Sequence, residues 1–180
     1  MSPPRLHGPF TPSALRTFLL APTVRRAGFP GETHRDRPVV WWVGVRLVKD
    51  HFQCHTYFIA NGSDGVLIDP ASPLTIEGTL AKQRTSTDLG APPWLICHHS
   101  DPDICAALPR LGGVLVHPDV HVVTEWRANA LIRHYGHRFS TYLVEQHNWC
   151  LPVQGDRRLE FQLTPYLHVP GAMVSFDTFS

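Results

Sequence analysis

The feature that most constrains the fold is a short apolar stretch that runs straight into a polar cluster. Trp94-Leu95-Ile96-Cys97, preceded by Pro92-Pro93, reads as a buried strand. It is followed without a break by His98-His99-Ser100-Asp101-Pro102-Asp103 and then by a helical pattern. In α/β sheets, ligand sites collect at the carboxyl ends of strands, where loops converge. If the loop stays extended, the alternate side chains of His99, Asp101 and Asp103 project to one side. Pro102 favours this, because it restricts Asp101 to extended φ/ψ. A bland reading competes: Asp101 or Asp103 can simply cap the following helix by accepting from its free amides.

The flanking segments supply the rest of an α/β chain. Val39–Val48, His51–Ala60 and Val66–Asp69 read as strands, with a tight turn at Asn61-Gly62-Ser63-Asp64-Gly65 joining the last two. Ser72-Pro73 reads as the start of a helix toward Lys82. Asp103–Leu108 reads as helical and bounded by Pro109, and Val114–His117 as a strand. Pro118 to Gly136 reads as a helix with Val123, Trp126, Ala130 and His134 near one face. Phe139–Val144, Arg158–Leu163 and Ala172–Phe176 read as strands. Strands come first and then alternate with helices, which implies an α/β sandwich with a mixed sheet. Residues 1–38, rich in Pro, Arg and Gly, read as a flexible leader, with an Arg-rich targeting peptide as the alternative.

Composition narrows the partners. A formal net charge of +1 gives no basis for nucleic acid as a partner, and no apolar run is long enough to span a membrane. A cytoplasmic location is expected. Cys54, Cys97, Cys105 and Cys150 have neither a C-x-x-C pair nor zinc-ribbon spacing and read as reduced, mostly buried thiols. Twelve histidines in 180 residues raise the expectation of a metal site. His168, between Pro165 and Pro170, is a further candidate ligand. Two histidines and a carboxylate with open positions suit non-haem iron(II) better than structural zinc. His98 should point away from His99 and reads as a packing or supporting residue. His117 with His121, and His134 with His137, are spaced for a shared helix face but read as surface pairs. Tyr57, Trp126 and Tyr166 read as core aromatics.

Three segments in order resemble the metallo-β-lactamase-like module of oxygen-binding diiron and flavodiiron proteins. Cys54-His55-Thr56-Tyr57-Phe58-Ile59 with Gly65-Val66-Leu67-Ile68-Asp69-Pro70 is similar to the family's opening hairpin. His99-Ser100-Asp101-Pro102-Asp103 resembles its H-x-[DE]-P-D ligand loop, and Thr164 to Ala172 resembles the segment holding the next histidine. The resemblance covers roughly residues 39–180. It implies an αβ/βα sandwich of the metallo-β-lactamase type, with its C-terminal part missing. His99, Asp101 and His168 would bind one iron, and Asp103 a second. Asp69 would be a structural aspartate beside the site. Ile104 stands where relatives usually carry another histidine ligand, and no residue is recognised for the bridging aspartate or the final histidine.

The resemblance therefore implies a domain holding one or two iron ions that binds, senses or reduces dioxygen. A redox partner protein would supply electrons, and a homodimer or a completing chain would finish the site. If the domain turns over, an oxidoreductase reaction fits it better than hydrolysis. The alternatives are a zinc-dependent hydrolase, which Asp101 and Ile104 disfavour, and a non-catalytic remnant or assembly half.

Overall fold

β-Branched and aromatic residues concentrate in short runs, and these runs form the sheets. The computed structural model describes residues 39–178 except 48, 50, 52, 61–64, 87–92, 116–118, 154 and 166. The expectations for the leader, for the turn at 61–64, for His117 and for Tyr166 lie outside the described residues. In chain order, β1 (Val39–Trp42), β2 (Val45–Arg46), β3 (Gln53–Cys54), β4 (Tyr57–Ala60) and β5 (Val66–Ile68) precede the first helix, α1 (Ile76–Ser86). Then come β6 (Trp94–Ile96), α2 (Pro102–Cys105), α3 (Leu108–Gly112), β7 (His121–Thr124) and α4 (Trp126–Ile132). β8 (Ser140–Leu143), β9 (Cys150–Pro152), β10 (Arg158–Leu163) and β11 (Met173–Asp177) complete the order.

Six strands form one mixed sheet in the order β1-β4-β5-β6-β7-β8. β1, β4 and β5 pair antiparallel, and β6, β7 and β8 add in parallel. A second, antiparallel sheet runs β11-β10-β9, and β2 pairs with β3 as a separate ribbon. Strand alternation sorts the core into two halves. Phe58, Leu67, Leu95 and Val122 face the helices and pack with Ile76, Leu80, Ile104, Leu108, Leu111 and Ile132. Their neighbours Ile59, Val66, Ile96 and Val123 face the other way and pack with Leu151, Leu159, Phe161 and Met173 of the second sheet. The large sheet is thus covered on both faces, as parallel strands require. Each fully buried Leu or Ile side chain contributes about 1.5–3 kcal/mol. On the outer face of the second sheet, Val174 and Phe176 remain 40% and 56% exposed.

Several boundaries differ from the sequence reading. The first strand breaks at Val43-Gly44, because a Cβ on Gly44 would lie 2.2 Å from the Cys54 carbonyl oxygen. The chain there crosses tightly to form the ribbon. The helix after Ser72 starts three residues later than its cap signal and runs to Ser86; Ser72 Oγ accepts from the Leu74 N–H at 3.2 Å in the preceding turn. Pro109 does not end a helix. It sits in the first turn of α3, where a missing N–H is tolerated. The predicted helix from Pro118 is half strand: His121–Thr124 is β7, and Val114 and Leu115 belong to no strand. The β-branched run Val120-His121-Val122-Val123-Thr124 wins over helical spacing, and α4 begins only after Glu125. Trp126, Ala130 and His134 are exposed rather than a buried face, and Trp126 is not a core aromatic. Gly136 ends the helical stretch at φ +79 as expected. β9 was not foreseen.

Candidate metal centre

The ladder of β6 continues one residue beyond the strand. The Cys97 N–H donates to Val123 O at 3.0 Å, and Thr124 Oγ1 donates to Cys97 O at 2.9 Å. The polar loop therefore leaves from a fixed point at the carboxyl end of the sheet. Asp101 is the residue before α2, at φ −74 and ψ 154, the extended conformation that Pro102 favours. Its carboxylate makes no cap bond to the helix, which removes the bland reading for Asp101. Instead Asp101 Oδ2 lies 2.9 Å from His168 Nε2 and 3.8 Å from His99 Nδ1. The His99 and His168 rings meet edge-on with centroids 4.6 Å apart.

One potential ligand atom from each of His99, Asp101 and His168 lies within 4.8 Å of the others. Asp103 does not join this group. It lies inside α2, where the side-chain period changes from two to 3.6, so it leaves the line set by His99 and Asp101. No second such group occurs among the described residues. The donor set fits one ion: two imidazoles and a carboxylate, with His99 and Asp101 side chains 18% and 36% exposed and His168 52% exposed. A fit for two ions is not present among these residues.

The His168 turn is fastened at its far end. Thr164 N–H donates to Ala172 O at 2.8 Å, and Ala172 N–H donates to Val169 O at 3.0 Å. Gly171 adopts φ +85, and a Cβ there would meet Ala128 N and Glu125 Oε2, each at 2.7 Å. The turn thus rests directly on the start of α4. Glu125, 1% exposed, caps that helix by accepting from the Arg127 N–H at 2.7 Å. The Met173 N–H then donates to His98 O at 2.9 Å, tying the end of the turn back to the ligand loop.

His98 faces away from the donor set, as its place beside His99 implies. Its backbone N–H donates to Asp69 Oδ1 at 3.0 Å, and its Nδ1 lies 2.9 Å from Asp69 Oδ2. Asp69 itself has φ +51, and its carbonyl accepts from Thr56 Oγ1 at 2.7 Å. Sequence reasoning missed Tyr135, whose hydroxyl donates to Ser100 O at 3.0 Å. Burial raises the Tyr135 pKa, helped by Cys105, Asp101 and Asp103, so it stays a neutral donor. Its position in the turn after α4 carried no sequence signal. The cysteines brace the loop: Cys105 Sγ donates to His99 O at 3.1 Å and Cys54 Sγ to Asp103 O at 3.3 Å. A hydrogen bond with Cys105, then burial, pushes the Cys97 thiol well above its ordinary value. All four cysteines are free, and Cys54, Cys97 and Cys105 are buried, as expected.

The three donors lie within the span that a family model matches. The family model described as ODP family beta lactamase matches residues 52–180. The chain belongs to this family. No functionally curated protein matches it. Among solved structures, the flavodiiron protein from Giardia intestinalis aligns at 18% identity and TM-score 0.65, covering 77% of this chain and 36% of that one. The rubredoxin oxygen:oxidoreductase of the anaerobe Desulfovibrio gigas aligns at 20% identity and TM-score 0.57, covering 69% of this chain and 30% of that one. A metallo-beta-lactamase variant from Cronobacter sakazakii aligns at 16% identity and TM-score 0.58, covering 78% and 56%. These likenesses establish a metallo-β-lactamase fold for this ODP family chain, which spans less than two-thirds of each of the three. No helix among the described residues is long and apolar enough to cross a membrane.

Proposed function

We infer that His99, Asp101 and His168 hold one non-haem iron(II) ion and that the domain binds, senses or reduces dioxygen. The observation that carries this reading is the convergence of two imidazoles and an uncapped carboxylate at the end of β6. A donor set of this kind leaves ligand positions open and favours iron(II) over a closed structural zinc site. Iron held in this way supplies dioxygen binding and one-electron chemistry. The family match and the flavodiiron neighbours add support, since the Desulfovibrio gigas relative is named as an oxygen oxidoreductase.

The chain's own residues do three things. His99, Asp101 and His168 offer nitrogen and oxygen donors and one negative charge to the cation. Tyr135, Cys54 and Cys105 hold the ligand loop through its carbonyls, at Ser100, Asp103 and His99 respectively. Glu125 and Gly171 set the height of the His168 turn on α4. Asp103 lies apart from the donor set, and a second iron, for which the resemblance offers Asp103, would need further ligands from beyond the described residues. Electrons for reduction would come from a separate redox protein.

The test is to load the anoxic protein with iron(II) and then expose it to oxygen while recording its absorbance. The wild type should show an oxygen-dependent change that His168→Ala loses while keeping its circular dichroism. An unchanged spectrum in loaded wild-type protein would reject the dioxygen reading.

A further inference from the structure

A second constellation lies on the other side of the ligand loop, and nothing in the iron reading uses its chemistry. Asp69 follows β5, His98 follows β6, and Ser175 lies in β11 of the second sheet. Asp69 Oδ2 is 2.9 Å from His98 Nδ1, and His98 Nε2 is 2.9 Å from Ser175 Oγ. The order carboxylate, Nδ1, Nε2, hydroxyl is that of an acyl-transfer relay. The contacts assign the proton positions. The Asp69 carboxylate accepts, so His98 Nδ1 carries the hydrogen. In the neutral ring Nε2 is then the acceptor, and the Ser175 hydroxyl donates to it.

The surroundings hold this arrangement firmly. Asp69 Oδ1 also accepts the His98 backbone N–H at 3.0 Å, so residue and ring are gripped by the same carboxylate. Asp69 and Ala71 sit at φ 51 and φ 82, and the Ala71 N–H donates to Asp69 O at 2.7 Å. A non-glycine residue such as Ala71 keeps such a φ only where its surroundings over-determine it, and such residues cluster at functional sites. Across the gap, the Met173 N–H donates to His98 O at 2.9 Å, which sets the distance of β11 from the loop. His98 and Asp69 side chains are 19% and 18% exposed, and Ser175 is half-buried, so the group borders solvent. Thr164 and Arg158 pair with Ala172 and Thr178 through Thr164 N–H to Ala172 O and Thr178 N–H to Arg158 O. By strand alternation, Ser175 turns its own N–H away from β10, to the side where Met173 already reaches His98. That N–H lies on the same residue as the hydroxyl and can serve a developing oxyanion.

We propose that Ser175, His98 and Asp69 form a nucleophilic serine site that accepts acyl or phosphonyl groups from activated esters, separately from the metal-binding set. Ser175 Oγ attacks the electrophilic carbon or phosphorus, and its proton passes to His98 Nε2. The bond to the leaving group breaks, and the leaving group departs with the bonding electron pair and takes the proton from His98. Water then attacks the acyl-serine, gives a proton to Nε2, and Ser175 recovers its hydrogen as the acid leaves. Asp69 holds the Nδ1 tautomer throughout. No oxidant or reductant enters the sequence.

The experiment is covalent labelling of the full chain with a fluorophosphonate, with the modified residue located by peptide mass spectrometry. Ser175 should be labelled in preference to Ser140, an exposed serine at the start of β8 that stands opposite His121 in the β7–β8 pairing but makes no described hydrogen bond to a histidine ring. Ser175→Ala should lose the label and keep the wild-type circular dichroism. His98→Gln, with Ser175 intact, should lose labelling at Ser175. Label spread equally over Ser140 and Ser175, no label at Ser175, or undiminished Ser175 labelling in a folded His98→Gln would each overturn the assignment. The comparison of the two serines in wild-type protein decides the matter even if His98→Gln fails to fold.

Discussion

Asp101 shows how one side chain decides between two readings that its sequence context leaves open. An aspartate before Pro102 and a helix is a normal cap, yet its carboxylate makes no cap bond and turns to His168 instead. His98 and His99, adjacent in sequence, divide between a supporting carboxylate and the donor set, with the loop bending at both residues. His137 is a different case. Its ring stacks on Phe139 at 6.0 Å, and both ring nitrogens are buried without a hydrogen-bond partner. Burial lowers its pKa. A histidine with a lowered folded pKa binds fewer protons folded than unfolded, so stability is full above the unfolded value of about 6.5. It falls as the pH drops through that value toward the folded pKa. His137→Phe removes the proton site and the unpaired nitrogens. In urea titrations it should gain stability over the wild type, more at about pH 5 than at about pH 8. An equal difference at both pH values would reject the linkage.

The Thr164–Ala172 turn and α4 act as one positioning unit. Gly171 is needed twice over, once for φ +85 and once because a Cβ would strike Ala128 N and Glu125 Oε2. Gly171→Ala should lower stability by about 1–3 kcal/mol and lift the turn that carries His168, weakening metal retention as well. Thermal unfolding and metal analysis read the two effects; retention equal to wild type would show that the turn does not govern His168. These contacts explain what sequence reading could and could not reach. The strand at Arg158–Leu163 was legible because its apolar residues alternate, and the one around Met173 because Ala172-Met173-Val174 is a short apolar run. The Gly171 clamp was not, since it depends on Glu125 and Ala128 at the start of α4, 46 and 43 positions earlier in the chain. The span from Pro118 misread because Val123, Trp126, Ala130 and His134 happen to fall at helical spacing, while β-branching and parallel pairing to β6 make its first part a strand.

Over the whole molecule, the two-layer coverage of the six-stranded sheet is what brings distant residues to one edge. Leu95 and Ile96 point to opposite cores, so β6 is held from both sides and its loop starts from a rigid base. His168 reaches Asp101 only because the second sheet packs on that base through Met173 and Phe161. The resemblance in sequence indicated the ligand loop and the histidine segment; the alternation that put Asp103 in line with His99 and Asp101 ends where α2 begins at Pro102. The resemblance did not indicate the Ser175 contact, which forms between the two sheets and has no local signature. The decisive measurement is the iron bound per folded chain after purification without oxygen, compared between wild type, Asp101→Asn and Asp103→Asn. Iron that is present in the wild type, lost in Asp101→Asn and kept in Asp103→Asn is the predicted result; a folded wild-type chain without iron, or iron lost equally in both variants, would contradict it.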